Sequence, residues 1–105
     1  MDEIDTGKLQ IYSVEERGDA TATCIVRCVG GIVRTGQQFG VGSTLNPTRD
    51  PSVITLVWIK RYEQLMEFID PPHNAKVHFV GAGASALERG VTITAITTRH
   101  FPEGQ

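Results

Sequence analysis

The 105-residue sequence lacks the long apolar run that a membrane-spanning helix requires. Such a helix needs roughly 18 or more consecutive apolar residues, and the run VITLVWIK at residues 53–60 is far shorter. The N-terminal segment MDEIDTGK is acidic, whereas a secretory signal peptide begins with basic residues. We therefore expect a cytoplasmic protein with no membrane partner.

Cysteine is scarce, and Cys24 and Cys28 are the only two in the chain. The β-branched run TATCIVRCV around them predicts a strand. Four residues of strand span about 13 Å, well beyond the roughly 7 Å limit between the Cα atoms of a disulfide. We expect two reduced, buried thiols on one face with Val26 between them, which suits a reducing cytoplasm. No histidine has a spacing that would complete a metal site, so no metal is predicted.

Net charge is also small, at −2, which speaks against strong non-specific binding to nucleic acid. The charge is unevenly distributed, because residues 1–20 carry −4, residues 21–61 carry +4 and the remainder carries −2. A basic centre in an acidic protein is one interpretation. The other is that these cations only cover solvent-exposed faces of strands.

The sequence contains no phosphate-binding loop of the form G-x-x-x-x-G-K-[ST]. The segment GAGASALERG at residues 81–90 has glycines, but no lysine follows them. No nucleotide or other cofactor is therefore expected. No catalytic residue is predicted either, since neither cysteine has a neighbouring histidine in sequence that would lower its pKa. We predict that the chain is not an enzyme.

What the sequence does contain is a series of short β-branched runs separated by turn residues. Strands are predicted at residues 9–14, 20–29, 37–41, 53–60, 76–80 and 91–98. Between the first two, EERGD is predicted as a polar loop with its turn at Gly18, and residues 42–52 are predicted as a longer loop. Six short strands with little helix predict an all-β fold, either a small closed barrel or a sandwich.

Residues 62–69, YEQLMEFI, are ambiguous. Tyr62, Leu65, Met66 and Ile69 have the spacing of an apolar stripe on a helix, so propensity favours two helical turns. Helix and strand both remain open here, and at most one short helix is predicted in the chain.

Glycines mark several of the predicted turns. Gly30-Gly31 and Gly36 flank a short apolar connector at residues 32–35. Glycine supplies the positive φ that such turns often need. We predict Gly31, Gly36 and Gly90 as structural turn residues, with positive φ at Gly36 and Gly90.

In their order and spacing, GGIVRTGQQF, VITLVWIK, KVHFV and ALERGVTI resemble the second, β-barrel domain of translational GTPases such as elongation factor Tu. The matching positions, in chain order, are Gly31, Ile32, Arg34, Gly36, Phe39, Val77, Leu87, Arg89, Gly90, Val91 and Ile93. The resemblance implies a closed six-stranded Greek-key barrel over residues 9–98, here as a stand-alone domain. Residues 1–8 would be a flexible N-terminus and residues 99–105 a C-terminal tail.

The resemblance also implies where RNA would bind. In the elongation factor that carries aminoacyl-tRNA, this domain helps form the pocket for the tRNA 3′ end with a Glu and an Arg. The corresponding positions here are Trp58 and Arg61, so the Arg is present and the Glu is absent. An exposed tryptophan beside a guanidinium suits stacking on an unpaired base. Alternation with Val57 and Ile59 equally allows Trp58 to lie in the core.

Two functions remain open. The first is a non-catalytic binding module that contacts a tRNA 3′ end or ribosomal RNA through Arg27, Arg34, Trp58, Lys60 and Arg61. The second is a protein-interaction or regulatory barrel that has lost the RNA site, which the net acidity and the missing Glu favour. Without a phosphate loop, neither function includes GTP binding or hydrolysis by this chain alone.

Overall fold

The computed structural model describes residues 7–41 and 52–96. Three sequence predictions therefore lie wholly or mostly outside the described residues. They are the flexible segment at 1–8, the loop at 42–52 and the tail at 99–105. The end of the last predicted strand, residues 97–98, lies outside them as well.

The described ranges contain nine strands, numbered β1 to β9 in chain order, and one 3₁₀ turn. They are β1 Lys8–Gly18, β2 Thr21–Gly30, β3 Val33–Arg34, β4 Gln38–Val41, β5 Ser52–Arg61, β6 Gln64–Met66, β7 Phe68–Ile69, β8 Asn74–Val80 and β9 Thr92–Ala95, with the 3₁₀ turn at Ala82–Ala86. Each of the six predicted strands is present. No helix in this part of the chain has the length and apolar character needed to cross a membrane.

Six of the strands close into an antiparallel barrel. Hydrogen-bonded neighbours follow the order β4-β9-β1-β2-β8-β5, and β5 pairs again with β4 to complete the ring. β6 extends the sheet beyond β5, while β3 and β7 form a separate two-stranded sheet. The predicted all-β, closed six-stranded Greek-key barrel is confirmed.

The barrel interior is filled by the inward-facing residues of alternating strands. In β2, Cys24, Val26 and Cys28 are all fully buried, as the two-residue period of a strand requires. Phe39 and Phe79 meet edge to face, with ring centroids 6.1 Å apart and planes at 74°. Both cysteines are free thiols on one buried face, as expected.

The prediction of a polar loop at EERGD, residues 15–19, is wrong. β1 continues through these residues as far as Gly18, which pairs with Thr21 of β2. The turn falls at Asp19-Ala20, where Ala20 has a φ of 56°. The charged side chains are exposed, and the backbone ladder with β2 keeps these polar residues in the strand.

Residues 62–69 form strands and no helix. Met66 of β6 pairs with Ile59 of β5, and the turn that joins these strands consists of Tyr62 and Glu63, both with positive φ. Leu65, one member of the apparent helical stripe, is 69% exposed. Pairing with β5 therefore overrides the helical spacing of this segment.

The turn glycines have left-handed backbone conformations. Gly31, Gly36 and Gly90 have φ values of 57°, 91° and 93°. The connector between the first two contains β3, whose Val33 is buried and pairs with Ile69 of β7. The short connector predicted at 32–35 thus contains a two-residue strand of a second, smaller sheet.

The connection from β8 to β9 is packed against the barrel. Arg17 donates hydrogen bonds from its guanidinium to the carbonyl oxygens of Ala84, at 3.0 Å, and Leu87, at 2.7 Å. Gly81 has a φ of 138°, and a Cβ there would lie 2.9 Å from the Cα of Ile54. The polar extension of β1 therefore helps to hold this connection in place.

Candidate functional site

A cleft of about 590 Å³ opens on the outside of the barrel where β2, β8 and β5 lie side by side. Among the described residues, four cationic side chains line it, Arg27 from β2, Lys76 from β8, and Lys60 and Arg61 from β5. Glu63 is the single carboxylate that residues 7–41 and 52–96 contribute to the lining. This basic cleft concentrates positive charge in a chain whose net charge is −2.

Lys60 and Lys76 occupy paired positions in the β5–β8 ladder. Paired residues of antiparallel strands project to the same face, and like charges directly opposite each other destabilise a sheet. Within residues 7–41 and 52–96, neither lysine forms an ion pair. Like charges at these paired positions repel each other, and an anion bound near both side chains would offset that repulsion.

Arg27 is fixed at the β2 side of the basic cleft. Its Nε donates to the carbonyl oxygen of Pro72 at 3.1 Å, and its Nη1 donates to the hydroxyl of Tyr12 at 3.0 Å. A guanidinium carries further N–H groups beyond these two. Arg27 is thus oriented by the protein and still has donors for a phosphate.

The hairpin turn between β5 and β6 lies at the mouth of the basic cleft. Tyr62, in this turn, is 86% exposed, and the guanidinium carbon of Arg61 lies 5.3 Å from the centroid of its ring. An exposed ring beside a cation is an arrangement on which an unpaired base stacks. Sequence analysis missed Tyr62 as a site residue because its spacing assigned it to an apolar helical stripe.

Trp58 is half-buried and lies outside the core cluster. Its ring stacks on that of His78, with centroids 5.6 Å apart and planes 11° from parallel. His78 Nδ1 in turn shares a hydrogen bond of 2.8 Å with Thr23 Oγ1. Lys60 Nζ lies 5.1 Å from the centroid of the tryptophan ring. Trp58 therefore contacts the basic cleft through Lys60 without lining it.

Arg34 lies apart from the other predicted contacts. It belongs to β3, where its guanidinium carbon is 5.8 Å from the ring centroid of Phe68, and it does not line the basic cleft. The structure thus brings together Arg27, Lys60 and Arg61, with Trp58 beside them. Lys76 is a further cation of this site that sequence analysis did not select.

The cysteines are poorly suited to catalysis. Burial raises the pKa of the Cys24 thiol to about 11 and also raises the pKa of Cys28. A thiol that stays protonated near neutral pH is a weak nucleophile. In the part of the chain that the structure describes, no group of three or more His, Cys, Asp or Glu side chains could hold a metal ion.

No family model and no curated protein match this sequence. Among solved structures, translation elongation factor SelB from Methanococcus maripaludis is similar, both in its apo form and in complex with the GTP analogue GppNHp. Each comparison gives a TM-score of 0.69 at 15% identity and covers 89% of this chain and 19% of that chain. The chain therefore shares its fold with a segment that makes up about a fifth of SelB, in agreement with the barrel of translational GTPases that its motifs resemble.

Proposed function

We propose that this chain is a non-catalytic binding module of the translation-factor type that contacts the end of a single-stranded RNA through the basic cleft. The observation that carries the proposal is the convergence of Arg27, Lys60, Arg61 and Lys76 on one cleft beside an exposed tyrosine. They come from three strands that are separate in sequence, and these strands meet because β8 lies between β2 and β5. A tRNA 3′ end or ribosomal RNA is the RNA that the resemblance implies.

Each part of the cleft has a physical role in this proposal. The cations neutralise phosphates and release counterions, which makes binding favourable and dependent on salt. The ring of Tyr62 offers a stacking surface for a terminal base, next to the guanidinium of Arg61. Nucleotide binding is not proposed for two reasons. The GTP analogue was found in a complex of SelB, of which the matching segment covers only 19%, and this sequence has no phosphate loop.

Buried, reduced thiols suit the cytoplasm, where translation takes place.

A protein-interaction barrel is the second candidate. Exposed apolar side chains favour it, namely Leu65 at 69% and, in the small β3–β7 sheet, Phe68 at 44%. This candidate predicts binding to a protein partner that is independent of the cations in the basic cleft. It also predicts no binding to RNA, even where electrostatic attraction is least screened.

The RNA proposal is tested with a short, fluorescently labelled RNA that ends in CCA, titrated by anisotropy at several salt concentrations. Tyr62→Ala should weaken binding by about 5- to 150-fold, since one stacked base is worth about 1–3 kcal/mol. Arg61→Ala should reduce the slope of log affinity against log salt by about 0.7, the value for one phosphate of a single strand. RNA binding should also quench Trp58 emission, because Lys60 contacts both the ring and the cleft.

Arg34→Ala is the matched control, because it removes the same charge from a strand outside the basic cleft. The proposal expects it to bind RNA as the unmodified chain does. Failure of the unmodified chain to bind at low salt would contradict the proposal. An equal loss of affinity from Arg34→Ala and Arg61→Ala would show that charge alone, and not the cleft, attracts RNA.

A further inference from the structure

We infer that the RNA surface continues from the basic cleft across β2 and β1 to a second pocket at Arg89, forming one track for several nucleotides of a single strand. This inference rests on the proposed function and extends it to the length of RNA that is bound. It follows from the position of a second depression and from the hydrogen bond that joins it to the cleft.

The second depression has a volume of about 300 Å³ and lies against β1, where Tyr12 and Arg89 are among its lining residues. We call it the side pocket. The turn that carries Arg89 is held to β1 by two backbone hydrogen bonds, one from Gly90 N to Ile11 O at 2.7 Å and one from Ile11 N to Val91 O at 2.8 Å. The cation of the side pocket is thus presented by a backbone fixed to the barrel.

Tyr12 connects the side pocket with the basic cleft. It lines the side pocket, while its hydroxyl accepts a hydrogen bond of 3.0 Å from Nη1 of Arg27, which lines the cleft. Tyr12 is 38% exposed, so this junction is accessible to a ligand. The two depressions therefore adjoin at a hydrogen-bonded pair and lie on one continuous part of the surface.

The strand order gives the track its direction and length. Cations follow one another from β5 through β8 and β2, and the turn bearing Arg89 comes after β1. Neighbouring strands are about 4.8 Å apart, so the four steps from β5 to this turn follow a curved path of about 19 Å around the wall of the barrel. At about 3.4 Å per stacked nucleotide, that length accommodates up to about six nucleotides, and fewer of an extended strand.

The placement of aromatic rings favours single-stranded nucleic acid over an acidic peptide. Tyr62 lies beside Arg61 at one end of the track, and Tyr12 lies beside Arg27 further along. Bases stack on exposed aromatic rings whatever their sequence, while the neighbouring cations contact the backbone phosphates. An acidic peptide would use the cations and leave both rings without a role.

The track is tested with fluorescently labelled oligouridylates of three and six nucleotides, titrated with the full chain over a series of low salt concentrations. The hexamer should bind at least tenfold more tightly than the trimer, because it reaches the side pocket as well as the cleft. Its salt slope should also be steeper by about 0.7 for each additional phosphate that is neutralised. Arg89→Ala should weaken the hexamer several-fold and flatten its slope by about 0.7, with little effect on the trimer.

Two further variants and one competitor complete the test. Arg89→Lys keeps the charge and should restore the salt slope, whereas Arg34→Ala, outside both depressions, should change neither oligonucleotide. Equal affinities and slopes for trimer and hexamer would overturn the track and leave the proposed function intact. No binding of either at low salt would overturn both. Competition by hexaglutamate as effective as that by unlabelled hexamer would overturn the assignment of the track to RNA.

Discussion

Lys60 and Lys76 face each other across the β5–β8 ladder and form a like-charged pair in a chain that is acidic overall. Lys76 pairs on its other side with Ile25 of β2, an uncharged residue. The two strands that bear these lysines also contribute buried residues to the core, such as Ile59 and Val77. The inner face of this ladder thus packs in the barrel core, while the two lysines repel each other on its outer face.

Replacing one of these lysines should strengthen the fold and weaken RNA binding. Lys76→Gln removes one of the two opposed charges and should raise the free energy of unfolding by about 0.2–1 kcal/mol. The same change should weaken RNA binding, because one phosphate contact is lost. Urea denaturation and anisotropy titration measure the two effects. Lys76→Arg keeps the charge and should leave both nearly unchanged, while destabilisation by Lys76→Gln would contradict the argument.

Glu63→Gly should stabilise the hairpin at the mouth of the basic cleft. Glu63 has a φ of 68°, a conformation that glycine adopts without the steric cost that a side chain incurs. We expect the free energy of unfolding to rise by up to about 1 kcal/mol. RNA should also bind more tightly, because the cleft loses its carboxylate.

Glu63→Gln separates the effect of the lost charge from the effect of the backbone conformation. It removes the negative charge and keeps a side chain at positive φ. It should therefore tighten RNA binding without raising stability in urea denaturation. Equal stabilisation by the glycine and glutamine variants would assign the effect to charge and not to backbone conformation.

Glycine substitutions should differ in cost according to what surrounds each glycine. A Cβ at Gly36 or Gly90 meets no atom of residues 7–41 and 52–96 within 4 Å. Alanine there should therefore incur mainly the penalty of positive φ, about 1 kcal/mol, and valine should cost at least as much. A Cβ at Gly81 would overlap the backbone of β5. Gly81→Ala should therefore destabilise the barrel more than Gly36→Ala in urea denaturation. Similar losses at the two positions would contradict this order.

Stability should fall in alkaline solution in part because of Cys24. The pKa of this thiol is raised by burial from the ordinary value of 9.0 to about 11. The unfolded thiol ionises first, so the contribution is complete below pH 9 and is lost as the pH rises toward about 11. Urea denaturation across this range should show a shallower decline in the free energy of unfolding for Cys24→Ala than for the unmodified chain.

Without denaturant, alkylation of Cys24 and Cys28 should be slow, because both thiols are buried. Rapid labelling would contradict their burial.

The strands predicted correctly from the sequence are those whose own residues determine which side chains are buried. The alternation that buries Cys24, Val26 and Cys28 in β2 is a local pattern that pairing partners only reinforce. The positive φ at Gly36 and Gly90 was likewise predictable, because turns between strands favour the residue without a Cβ.

The failures occur where tertiary pairing overrides local pattern. Residues 15–18 are polar, yet they continue β1 because β2 offers a complete backbone ladder. Leu65 has helical spacing relative to its neighbours, yet it pairs with Lys60 in the β5–β6 hairpin. The register of β5 with β8 shifts between Leu56 and Trp58, so simple alternation along β5 could not predict the half-buried position of the tryptophan.

The site was predictable only in part for the same reason. Arg27, Lys60 and Arg61 stood out by charge, but their meeting in one cleft depends on β8 being inserted between β2 and β5. That insertion also brings Lys76 opposite Lys60. Arg34 belongs to a motif that the family resemblance highlights, yet its strand pairs with β7, away from the cleft.

The insertion of β9 between β1 and β4 has a consequence for how the chain folds. The ring cannot close until residues 92–95 are available, because β1 pairs with β9 over residues 8–10 and 92–94. The entropy cost of closing a loop of that size is incurred before the β1–β9 contacts form and offset it. Barrels dominated by such distant pairings fold in milliseconds to seconds. During synthesis on a ribosome, β2 is the one partner that the described strands offer β1 until β9 emerges. In that interval the outer edge of β1 is open to pairing with other chains.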